Sequence, residues 1–217
     1  MMRLLAQALL ISSILITLTG CQSAYYSAME SVGQHKRDIM LDRVENAQDA
    51  QKDAQEQFTS ALEQLSQLIA YDGGDLAEQY QATKDQYDAS KEASEEVASR
   101  IAAIEDVAEA LFDEWQDEVE QYSSAKLRRQ SEAKLKSTQR QYKTLIKSMH
   151  RAHDKMAPVL AALKDNTLYL KHNLNARAIG ALEGEYGAIK KDVELLIKEM
   201  NSAIKQSQQF LDLLQEP

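Results

Sequence analysis

Between Gly74 and Gly180 the chain contains no glycine, and Pro158 is its only proline before Pro217. Reversing a chain takes residues that tolerate left-handed or fixed backbone angles, so a stretch this poor in both reads as long helices. Composition agrees, because Ala, Gln, Glu, Lys and Leu are abundant and lose little rotamer freedom in a helix, while β-branched residues are sparse. Aromatic residues make up 6% of the chain, so the core is expected to be thin and to suit one elongated domain better than two compact ones.

Hydrophobic spacing gives the helices their faces. From about Ser27 to Tyr71, one seam is Val44, Gln51, Phe58 and Leu65, and its partner is Met40, Ala47, Ala54, Ala61 and Leu68. Steps of four and three alternate without a slip, as supercoiled helices require. Asp72-Gly73-Gly74-Asp75 then marks a turn, with glycine ending one helix and Asp75 capping the next. The second pattern, to Tyr122, sets Leu76, Thr83, Ser90, Val97, Ile104 and Leu111 beside Tyr80, Tyr87, Ser94, Ile101, Ala108 and Trp115. Its early seam is polar and its late seam apolar, so packing should be firmer from Val97 to Trp115.

After a break at Ser123-Ser124, a third line holds Leu135, Tyr142, Met149, Met156, Leu163 and Leu170, with Thr138, Leu145, Ala152 and Val159 beside it. Pro158 lies inside this pattern without a backbone donor, which predicts a bend or restart near Lys155. Asn173-Leu174-Asn175 offers the next turn, before an amphipathic segment running from Ile179 to Leu214. The expected fold is therefore all-α, an elongated antiparallel bundle or coiled coil of four long helices at about 27–71, 75–122, 125–172 and 176–215. The alternative has three helices, one very long and bent at Pro158.

Charge argues independently for the pairing. Asp72 to Glu120 carries sixteen acidic and three basic residues, whereas Lys126 to Lys155 carries ten basic and two acidic. The two segments attract when side by side. Exposed ion pairs contribute only about 0–1 kcal/mol each, so the complementarity selects neighbour and orientation more than it stabilises. The basic stretch of Arg128, Arg129, Lys134, Lys136, Arg140, Lys143 and Lys147 is also a candidate surface for an acidic envelope protein or an anionic envelope polymer.

At the start of the chain, a fifteen-residue apolar run from Leu4 to Leu18 follows Arg3 and ends in Leu18-Thr19-Gly20-Cys21. The run is too short to span a bilayer comfortably, and with small residues behind it the segment reads as an export signal. Its last four residues resemble the lipobox of bacterial lipoprotein precursors. That resemblance implies cleavage between Gly20 and Cys21, leaving Cys21 as an N-terminus carrying acyl chains such as palmitate on its sulfur and its amine. Residues 1–20 are then the signal, 21–26 a lipidated tether and 27–217 a single bundle domain. Cys21 is the only cysteine, so no disulfide within the chain competes for it. By likeness to lipoprotein sorting in Gram-negative bacteria, Gln22 points to the outer membrane, facing the periplasm. Removing Arg3 with the signal takes the formal charge from −9 to −10. An acidic exported protein is a poor partner for nucleic acid.

Candidate chemistry is sparse. His150 and His153 lie three apart on one helical face and are weak metal candidates, with Lys147, Arg151 and Lys155 nearby to oppose a cation. None of the four histidines follows a glutamate at the spacing of bundle di-iron sites. Gly180, Gly184 and Gly187 do not match a dinucleotide fingerprint and suggest close helix packing or a hinge. Trp115, near Phe112 and Tyr122, is expected in the core, and no nucleophile elbow or phosphate loop occurs. No cofactor is expected, and the chain reads as a non-enzymatic structural or interaction module. The rival reading is a ligand-binding module with its cavity among Tyr80, Tyr87 and Tyr142, and a third is a metal-dependent enzyme using His150 and His153. Heptads satisfied between chains would make a homo-oligomer.

Several strings are distinctive: Tyr25-Tyr26-Ser27-Ala28-Met29-Glu30, His35-Lys36-Arg37-Asp38, Asp72-Gly73-Gly74-Asp75-Leu76, Ala108 to Trp115, and Leu170 to Ala176. Over nearly all the mature chain they resemble an uncharacterised family of bacterial helical envelope lipoproteins, filed as a domain of unknown function. The resemblance implies a helical envelope lipoprotein and supplies no functional residues.

Overall fold

A computed structural model of the chain describes residues 18–31, 33–71, 73, 76–173 and 176–215, and within these the side chains of all but 18–24 and 176–178. Residues 1–17 of the expected signal, and Asp72, Gly74, Asp75, Leu174 and Asn175 of the expected turns, lie outside the described residues. The helices are α1 (Leu18–Ser31), α2 (Lys36–Ile69), α3 (Leu76–Gln121), α4 (Ala125–Asp154), α5 (Met156–His172) and α6 (Ala176–Gln215), with no strand among the described residues.

These segments build four antiparallel rods: α2, α3, α4 continued by α5, and α6. The α2 rod packs on α3 and α6, and the α4–α5 rod packs on the same two from the opposite corner. Gln48 Nε2 reaches the carbonyl of Ile204 at 3.2 Å, and the Arg37 guanidinium donates to the carbonyl of Leu214, so α2 and α6 run in opposite senses. The three-helix alternative is not adopted, because the chain turns after Asn173 and α6 packs back against α5.

The expectation of four continuous helices needs one correction. The first pattern divides between Ser31 and Lys36, and the third restarts at Lys155, so among the described residues the four rods comprise five helical segments and α1 is a sixth beside them. Gly33 ends α1 with φ +85°, a left-handed angle that costs glycine little. Its N–H bonds the Glu30 carbonyl, and the Gln34 N–H bonds that of Met29, both at 3.0 Å. This is the paired closure of a Schellman motif. The chain then re-enters a helix at His35, whose N–H donates to Asp38 Oδ2 at 3.3 Å as in half of a capping box. Residues 21–26, expected as a tether, fall inside α1, and Tyr26 is 2% exposed in the core.

The other breaks follow the expected residues. Ser124 caps α4 by accepting from the Leu127 N–H at 3.4 Å. At Lys155 the backbone stays right-handed, with φ −76° and ψ −14°, while its N–H reaches back three residues to Ala152. Pro158 offers no N–H to the Asp154 carbonyl, which is why the helix restarts one turn before the ring. The seams are buried as their spacing predicts, including Met40, Val44, Phe58 and Leu65 on α2, and Val97, Ile101 and Ile104 on α3. Leu145, Met149, Met156, Val193, Leu196 and Met200 complete the interior from the other two rods.

Candidate functional site

The head of the bundle is the end that carries Gly33, Ser124 and Leu214. Here α2 begins and α6 ends beside Glu114 and Trp115, while α3 and α4 continue past them as a hairpin exposed throughout residues 120–130. The mismatch in rod ends leaves a cavity of about 600 Å³. Leu111, Trp115, Leu213 and Leu214 give it apolar walls, and Glu30, Lys36, Arg37, Glu114, Glu118 and Lys134 line it with charge of both signs. Trp115 is half-buried rather than a core residue, with its indole N–H donating to Ser131 Oγ at 2.9 Å. That bond orients the ring as one wall.

Lys36 organises the rim. Its ammonium bridges Glu30 of α1 and Glu114 of α3, the latter at 3.1 Å. Burial alone would lower its pKa, but the two carboxylates hold it above the usual lysine value. The same bond to Lys36 lowers the Glu30 carboxyl. A second fastening lies further along α1, where the Tyr26 hydroxyl donates to Asp106 Oδ2 at 2.6 Å. Arg43 Nη1 donates to that hydroxyl at 3.0 Å, to Asp106 Oδ2 at 2.9 Å and to the Ala103 carbonyl at 2.5 Å. Burial, assisted by the bond to Asp106, pushes the Tyr26 phenol up to about 12. Together the two clusters clasp α1 against the α2–α3 flank. Periodicity could not reveal them, since all but the Lys36–Glu30 pair join residues 17 to 80 positions apart; Gly33 followed by His35 and Asp38 is the readable sign that α1 folds back.

The basic stretch is brought next to acidic α3, as charge complementarity predicts, but its residues do not act as one group. Arg128 and Arg129 sit on the projecting hairpin, and Lys134 faces the cavity. Lys136 pairs with Glu132 of its own helix at 2.5 Å, whereas Arg140, Lys143 and Lys147 stand exposed on α4. His150 Nε2 meets Glu105 Oε1 of α3 at 2.9 Å, and His153 is half-buried one turn away. Among the described residues no three metal-ligating side chains gather at one place.

The aromatic seam does not supply the cavity expected there. Tyr142 packs edge-on to Phe112 at 5.4 Å and lies 6.5 Å from Phe210, while Tyr80 and Tyr87 pack partly buried against the core. Two shallower hollows lie between α2 and α3, lined by Asp49, Asp53, Glu92 and Glu96 with alanines between, and none of the three tyrosines borders these or the head cavity. Gly180, Gly184 and Gly187 face open space rather than a close helix approach.

A four-rod helical bundle with a short helix clasped to its flank and a charged cavity at its head is the class that this geometry defines. The chain belongs to the family described as "Protein of unknown function (DUF2959)", which matches residues 25–214. The match begins one residue before Tyr26, so it takes in the clasp together with the whole bundle. No curated protein and no solved structure matches the chain.

Proposed function

We propose that this protein is a lipid-anchored module of the bacterial envelope, exported and fastened through Cys21 to the periplasmic face of the outer membrane. There it serves structure or interaction rather than turnover. The observation that carries this reading is Leu18-Thr19-Gly20-Cys21 directly behind the apolar run. Two or three acyl chains, at about 0.8 kcal/mol per buried methylene, hold a protein on a bilayer where one chain would not. Among the described residues no helix is long and apolar enough to cross a membrane. Arg140, Lys143 and Lys147 stand exposed for an acidic envelope protein or an anionic envelope polymer. The experiment is to follow Cys21→Ser beside the wild-type chain through membrane fractionation with labelled palmitate. Loss of label and release from the outer membrane are expected; an unlabelled wild-type chain would remove the proposal.

The head cavity favours a second reading, a module that binds a small amphipathic ligand. Its volume and its mixture of apolar wall with a few charged groups are those of ordinary ligand sites. Trp115 is the only tryptophan, so its fluorescence reports occupancy directly. A saturable spectral change on titration with envelope extracts, abolished by Glu114→Gln with Trp115 left in place as the reporter, would support this reading. No change with any extract would exclude it.

A further inference from the structure

The clasp on α1 sets how an anchored rod can meet its membrane. Resting on the lipidation of Cys21 proposed above, we infer that the bundle lies along the bilayer on its α1 flank, and that neither end points at the lipid.

Reach decides the orientation. Tyr26 is buried and tied to Arg43 and Asp106, and α1 is fastened again through Glu30, Lys36 and Glu114. Only five residues lead from Cys21 to Tyr26, about 7.5 Å as a helix and at most about 18 Å fully extended. At 1.5 Å per residue, Asp106 lies about 22 Å from the Gln121 end of α3 and about 45 Å from its Leu76 end. The projecting α3–α4 hairpin places the head further away still. A tether this short cannot bring either end to the lipid while the clasp is closed, whereas the flank is within reach.

What that flank presents fits a lipid surface held by the anchor rather than by charge. Tyr25 is 45% exposed, stacked edge-on to Tyr26 at 5.2 Å, and offers an amphipathic ring beside the tether at headgroup height. Along the same flank, Asp49, Asp53, Glu92 and Glu96 outnumber Arg100, which is itself paired with Glu96 at 2.6 Å, so phosphates meet little attraction there. The α4 rod occupies the corner diagonal to α2, so Arg140, Lys143 and Lys147 turn away from the bilayer toward other partners.

Neutron reflectometry of the mature protein, taken from membranes and reconstituted on a phosphatidylcholine bilayer, tests this, with intact mass measured on the same sample. An acylated chain should form a layer about 30 Å thick, unchanged by added salt, since packed helices are each about 10–12 Å across. An acylated chain standing about 70 Å high would overturn the inference while leaving the anchor intact. A thin layer that detaches or thickens with salt would also overturn it, because the basic α4 face would then be the contact. A sample without acyl mass would instead remove the proposed function beneath it. Asp106→Ala, or the milder Asp106→Asn, should open the clasp and thicken the layer with helicity retained. A folded variant whose layer stays thin would show that the clasp does not set the orientation.

Discussion

Residues 76–94 and 97–119 belong to one unbroken helix, α3, yet they fill the interior with different chemistry. Toward the head, Val97, Ile101, Ile104, Val107 and Leu111 are buried, each able to contribute about 1.5–3 kcal/mol through lost apolar exposure. Toward the tail the same seats hold Thr83, Ser90 and Ser94. Thr83 bonds back to the Gln79 carbonyl at 2.9 Å, and Ser90 accepts from Gln57 at 3.4 Å, so these hydroxyls are satisfied without burying much hydrocarbon. Two neighbouring tail segments share this character, α5 burying Asn166 and Thr167 and α6 carrying Gly180, Gly184 and Gly187, while α2 opposite keeps Phe58, Leu65 and Leu68. One continuous helix therefore joins a firm half to a soft one. Cavity and clasp both lie in the firm half, where α1 needs a fixed seat, and the tail is the natural place for local opening.

The sharpest test of this contrast is a pair of truncations. Ile104→Ala should cost about 2–5 kcal/mol in urea unfolding, whereas Ser90→Ala should stay within about 1 kcal/mol. Equal losses would break the distinction between the halves.

Alkaline pH probes the clasp in the firm half. The Tyr26 phenol is raised to about 12 from 10.0, so the protonated form is favoured in the folded state. Its contribution is complete below pH 10 and is lost as pH rises through about 12, up to about 3 kcal/mol. Thermal unfolding of the wild-type chain should therefore weaken above pH 10, and Tyr26→Phe should flatten that decline. An identical slope in the variant would show that Tyr26 is not tied as described. Tyr142, also raised to about 12 by burial near Glu105 and Glu109, adds a background that the variant retains.

Gln51 interrupts the apolar seam of α2, fully buried with neither amide atom hydrogen-bonded. Replacing an unsatisfied buried amide with hydrocarbon of similar size removes a desolvation penalty of about 1–3 kcal/mol. Gln51→Leu should raise the urea midpoint, and a lowered midpoint would show that the amide fixes register or holds a partner. The smallest effect belongs to the tail, where a Cβ added at Gly180, Gly184 or Gly187 meets nothing within 4 Å. Alanine at each should stabilise by about 0.5–1 kcal/mol, and destabilisation would mean that this face touches something in solution.

Much of this bundle was legible because its core obeys a strict repeat. Met40, Ala47, Ala54, Ala61 and Leu68 are all buried, and Ser124 and Pro158 act where their chemistry requires. The break at Gly33 is masked in the pattern because apolar residues continue on both sides of it, although a lone glycine ahead of His35 and Asp38 marks it. The head cavity is invisible to periodicity for a different reason. Periodicity says which residues face inward but not where each rod stops, and the cavity arises from α2 and α6 ending short of the α3–α4 hairpin. Trp115 occupies a core position by its spacing and becomes a cavity wall because its neighbours end beside it. The basic stretch looks like one patch along the sequence, but helix geometry distributes Lys134 inward and Arg140, Lys143 and Lys147 outward.

Where the working chain starts, and what is attached there, decides whether this bundle is a lipid-anchored envelope component. Intact mass spectrometry of the protein extracted from its native membrane measures both at once. A chain beginning at Cys21 with added acyl mass is the predicted result; one that retains Met1 to Gly20 and carries no acyl mass would contradict it.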